Sequence, residues 1–143
     1  MKKLILLSVL FAITMATFAQ TKPIQLYRCY NIGYADANLS TGKLGEWVYK
    51  PTNSIIRINV EKQEVIIPAE KDYTIYVIRQ VSTKKELDAD GDEFTYTVFD
   101  AVDQEGNDCR FTQRTYLKFT NANFGLIYPE GVISFYCNII NNE

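Results

Sequence analysis

The residues of this 143-residue chain most able to do chemistry lie in two acidic strings. Asp88-Ala89-Asp90-Gly91-Asp92-Glu93 places carboxylates at alternate positions, a spacing that can wrap a hard cation such as Ca²⁺ in oxygen ligands. An EF-hand loop needs glycine at its sixth position and an acid at its twelfth. Counted from Asp88 those positions are Glu93 and Phe99, so the string reads as a solvated turn, with Asp88, Asp90 and Asp92 as a secondary calcium candidate. The second string gathers Asp100, Asp103, Glu105 and Asp108 around Gly106. Two carboxylates held about 5–10 Å apart across a groove can hydrolyse a glycosidic bond. Around a glycine-containing turn the same side chains more readily bond neighbouring backbone amides, and that is the role expected here.

The chain has no histidine. This excludes Ser-His-Asp and Cys-His catalysis, imidazole metal sites and histidine-based switching near neutral pH. Acid–base work would fall to carboxylates, Lys or Tyr, and no catalytic motif assembles them, so no enzyme activity and no cofactor are expected. Cys29, Cys109 and Cys137 match no CxxC or zinc spacing. Alternation with Phe111 turns Cys109 towards a core, and alternation with Ile133, Phe135 and Ile139 does the same for Cys137. One internal disulfide is available, with Cys109–Cys137 and Cys29–Cys137 both open.

Aromatic residues are the other candidate machinery. Trp47, the sole tryptophan, follows a loop containing Gly42 and Gly45, where it could plug or floor a barrel. Tyr73, Phe94, Tyr96, Phe111 and Phe135 could fill an interior, line an apolar pocket or stack on sugar rings. The candidate ligand lining is Trp47, Tyr96, Phe111 and Phe135.

Strands must position all of these. Abundant Tyr, Phe, Ile, Val and Thr suit a pleated, half-buried surface, and no stretch past Gln20 holds a 3.6-residue apolar period. A first strand is expected over 24–34 and a loop over 35–45. Trp47 and Tyr49 then lead a short strand ended by Pro51. Ile56, Ile58 and Val60 alternate with polar residues and pair with Val65 and Ile67 across a turn at Lys62-Gln63. Tyr73, Ile75 and Val77 share a face, 82–92 is a charged loop, and Phe94, Tyr96 and Val98 alternate in the next strand. The acidic turn leads to a strand carrying Cys109 and Phe111. The stretch 112–123 fits either an irregular strand or a helical turn. Leu126 to Tyr128, the turn Pro129-Glu130-Gly131 and Val132 to Ile139 form a closing hairpin. Eight or nine such strands make an all-β antiparallel meander, curled into a small barrel or a two-sheet sandwich.

Residues 1–19 have a Lys2-Lys3 stub, an apolar run and Thr17-Phe18-Ala19 before Gln20, the pattern of a secretory signal peptide. An exported domain, periplasmic or secreted, is therefore expected over 20–143. Losing two lysines takes the net charge from −2 to −4, and the remaining basic residues form no patch. Neither nucleic acid nor a membrane span is an expected partner.

The strand spacing, the closing hairpin and the Gly-x-Trp string Gly45-Glu46-Trp47 together resemble small exported bacterial proteins of lipocalin-like or calycin-like build. In that family the string belongs to the first barrel strand, whereas here it leads the second. The resemblance implies a closed barrel that can hold a small ligand. The expected function is thus a non-catalytic binding or interaction module of the cell envelope, taking a small apolar or glycan ligand. A protein-contact or inhibitor module acting through 35–45 or 82–92 is the alternative, and a carboxylate hydrolase the third.

Overall fold

The computed structural model describes residues 24–68 and 71–140. The signal peptide expected over 1–19 lies outside them. Eight strands follow in chain order: β1 Ile24–Asp36, β2 Val48–Asn59, β3 Glu64–Ile67, β4 Tyr73–Leu87, β5 Glu93–Asp103, β6 Asp108–Tyr116, β7 Asn121–Tyr128 and β8 Gly131–Ile139. Each pairs antiparallel with the next, and β8 pairs back to β1, so the sheet is a closed barrel. Closure gives first and last strands a partner each, removing two edges that an open sheet would expose.

Alternation decides which side chains enter. Tyr27, Cys29, Ile56, Val65, Ile75, Ala101, Phe111, Phe124, Leu126, Phe135 and Cys137 form one buried cluster. At its centre the Phe111 and Phe124 rings stack at 5.7 Å, and Tyr27 meets Phe124 edge-on at 4.8 Å. An eight-stranded barrel is narrow enough for side chains to fill its middle.

The strands are unequal, and the wall is therefore staggered. Short β3 pairs with β2 only over Arg57–Asn59 and with β4 only over Tyr73–Tyr76. The early part of β2 overhangs one end of the barrel, here called upper, and the β4–β5 hairpin overhangs the lower end. The turns 103–108 and 129–130 and the 37–47 connection lie at the upper end, whereas 60–63, 88–92 and 117–120 lie at the lower.

Three boundaries differ from the sequence reading. β2 is one strand running through Pro51, which sits opposite the β1 register shift between Cys29 and Asn31. No β3 residue pairs with β2 there, so the missing N–H of proline is tolerated. The stretch 82–87, read as loop, continues β4; its charged side chains hid a strand whose two faces both meet solvent. The ambiguous 112–123 stretch resolves into the end of β6, a turn, and the start of β7.

Candidate functional site

Asp103 closes the core face of β5, two residues beyond Ala101, and has only 3 % of its surface exposed. The turn after it bends back because Asp103 Oδ1 accepts the backbone amides of Glu105 and Asn107, both at 2.9 Å. Gly106 adopts φ +87°, a left-handed conformation that glycine enters without a Cβ penalty. From the neighbouring β4 the Tyr73 hydroxyl donates to Asp103 Oδ2 at 2.8 Å, and from β7 the Tyr128 hydroxyl donates to it at 3.1 Å. The Asn107 side-chain amide adds a further donation to the same oxygen at 3.1 Å. One buried carboxylate thus gathers the first residue of β4, the last of β5 and the last of β7.

Burial by itself would raise the Asp103 carboxyl. The donations from Asn107, Tyr73 and Glu105 outweigh that effect and hold it well below the usual carboxylate range. Burial, reinforced by the bond to Asp103, pushes the Tyr73 hydroxyl up to about 12. Burial also raises Tyr128, with Cys109 and Tyr73 adding to the shift. The site therefore holds an ionised carboxylate and two neutral phenols at neutral pH. It presents a fixed polar anchoring set at the barrel end.

Above this triad the barrel opens into a cavity of about 550 Å³. Ile67, Leu126, Ile133 and Phe135 supply apolar walls, and Tyr34, Tyr73 and Tyr128 supply aromatic rings with polar tips. Asp36, Glu105 and Glu130 stand among the lining residues. At the lower end a smaller cavity of about 250 Å³ is bounded by Ile58, Val65, Val77, Phe99, Phe111 and Gln113. The two cavities share no lining residue; Phe111 of the central stack walls the lower one.

The four candidate lining residues are not brought together. Phe135 lines the upper cavity and Phe111 the lower. Tyr96 is on the face opposite the core, because it pairs with Arg114 in a register where odd-numbered β5 residues point in. Trp47 also lies outside, stacked on Tyr49 at 6.1 Å, with both rings against Gly33. The β1 glycine there leaves room on the outer wall, which is why the tryptophan packs outward rather than plugging the barrel. Tyr49 continues to Tyr136 at 6.2 Å. Further round the same face, Arg114 lies 4.5 Å from the Phe94 ring centroid, and Tyr116 flanks that ring at 5.6 Å. Phe94 is thereby buried on the outside.

Asp88 Oδ1 accepts the amides of Asp90 and Asp92 at 3.0 and 2.9 Å, so its carboxylate is engaged within its own turn. Among the described residues no group of three or more acidic or cysteine side chains is arranged to hold a metal ion. Asp100 faces outward and pairs with Arg79, 2.8 Å away, with Arg110 at 3.7 Å. It therefore shares no groove with Asp103. Cys137 stands opposite Cys29, whereas Cys109 stands opposite Ala101 on a different strand pair.

Sequence reasoning assigned Asp103 to its turn and missed its inward contacts. The signal was available in parity: Phe99, Ala101 and Asp103 continue one face, Tyr73 heads the Ile75 face and Tyr128 ends the Leu126 face. No helix among the described residues is long and apolar enough to cross a membrane. No family model, curated protein or solved structure matches the chain.

Proposed function

We propose that this protein is an exported, non-catalytic binding module that holds a small ligand in the upper end of its barrel. The observation that carries the reading is the 550 Å³ cavity with apolar walls and one buried, pre-arranged polar set. Ligand sites are commonly concave and mainly apolar, with a few fixed polar groups to set orientation. The ligand that suits this lining has an apolar body that rests on Leu126, Ile133 and Phe135. Its hydroxyl or amide end would exchange hydrogen bonds with Tyr73 and Tyr128. A lipocalin-like mode of carriage fits that geometry, and the signal-peptide pattern of 1–19 supports export.

Titration with a neutral polarity-sensitive dye such as Nile red tests the site. Saturable binding in the micromolar range is expected, weakened at least tenfold by Ile133→Trp, which fills the upper cavity. Val77→Trp at the lower end should leave the affinity within about twofold. Absence of saturable binding, or equal loss with both variants, would remove the upper cavity as the site.

A second reading has its own observation. The outer row of Trp47, Tyr49 and Tyr136 offers aromatic surface of the kind enriched in protein interfaces. A contact or inhibitor module would use that row, and Tyr49→Ala would then reduce capture of one reproducible envelope protein while dye binding stayed intact.

A further inference from the structure

Cys29 of β1 and Cys137 of β8 are register partners across the seam that closes the barrel. Both belong to the buried cluster and both have 0 % exposure. Both are free thiols in the structure, and the Cys29 thiol donates to the Asn31 carbonyl at 3.3 Å. Directly opposed residues of an antiparallel pair have Cα atoms about 4.5–5.5 Å apart. A disulfide spans about 4.4–6.8 Å between Cα atoms, so the register puts this pair within the reach of one. Cys109 has no cysteine opposite it: its partner across β5 is Ala101.

We propose that Cys29 and Cys137 are joined by a disulfide that fastens the first strand of the barrel to the last, leaving Cys109 as the free thiol. Because both sulfurs are sealed in the closed barrel, the bond forms while the seam is still opening and closing during folding. The Cys29 thiolate attacks one sulfur of a donor disulfide, either that of a thiol–disulfide oxidoreductase or oxidised glutathione, and one donor thiolate leaves. Cys137, deprotonated in turn, attacks the Cys29 sulfur of the mixed disulfide and expels the second donor thiolate. The two protein thiols lose two protons and two electrons, and the donor disulfide takes up both electrons to become two thiols.

The test is oxidative refolding of the full chain. Protein unfolded with denaturant and reductant is diluted into reduced and oxidised glutathione, then denatured and alkylated without reductant. One alkylated thiol is expected, located at Cys109 by peptide mapping, with the Cys29 and Cys137 peptides linked. The oxidised protein should melt roughly 10 °C above the reduced protein, since the link encloses most of the domain. Cys109→Ser should keep the bond and show no alkylated thiol. Three alkylated thiols in the refolded wild type, a bridge that includes Cys109, or an unchanged melting temperature would each overturn the proposal. These readouts come from the wild type and Cys109→Ser, so they stand even where Cys29→Ser fails to fold.

Discussion

Asp103 shows how one buried charge can be kept ionised by the chain that buries it. Two backbone amides, one side-chain amide and two phenols all donate to it. Its carboxyl ionises below the ordinary value of 3.8, so on acidification the unfolded chain takes up this proton before the folded one. The stability it contributes is complete above that ordinary value and is lost as pH falls towards the lowered one. Thermal melts from about pH 6 to pH 2 should therefore show a fall in the acid range, and Asp103→Asn should flatten it while lowering stability at neutral pH. Tyr73 has the opposite sign. With its hydroxyl raised from 10.0 to about 12, its contribution is complete below the lower figure and disappears as pH climbs through the higher. Tyr73→Phe should cost about 1.5–3 kcal/mol at pH 7 by denaturant titration, because a hydrogen bond to a charged group is lost.

At the scale of elements, the seam between β1 and β8 depends on close approach as much as on pairing. A Cβ on Gly131 would stand 2.8 Å from the Ala35 carbonyl oxygen, a backbone atom with little freedom to retreat. Gly131→Ala should destabilise the fold by about 1–3 kcal/mol, as measured by chemical denaturation. On Gly33 the Cβ would instead meet the edge of the Tyr49 ring at 2.8 Å, and a ring can swing away. Gly33→Ala should therefore change stability little but shift the emission of Trp47, which stacks on that ring. Alternation made most of these elements legible: Ile56 and Ile58, Tyr73 to Val77, and the Val132–Ile139 return all read correctly as strands. Alternation failed where solvent lies on both sides, as in the Lys84-Lys85-Glu86 part of β4, since nothing there selects apolar residues. Trp47 and Tyr96 were misplaced for a related reason. Aromatic type suggests burial but does not say on which face, and the register shift in β1 and the pairing partners of β5 settle that only in three dimensions.

For the whole molecule, a barrel of this size has little stability to spare, since domains typically hold only about 5–15 kcal/mol. Phe124, fully buried between Tyr27 and Phe111, is the side chain whose loss should be felt most widely. Phe124→Ala should cost about 3–5 kcal/mol by denaturant unfolding. The two cavities also share no lining residue. Each end of the barrel is then a separate alcove, and a bulky side chain placed in one should leave the shape of the other untouched.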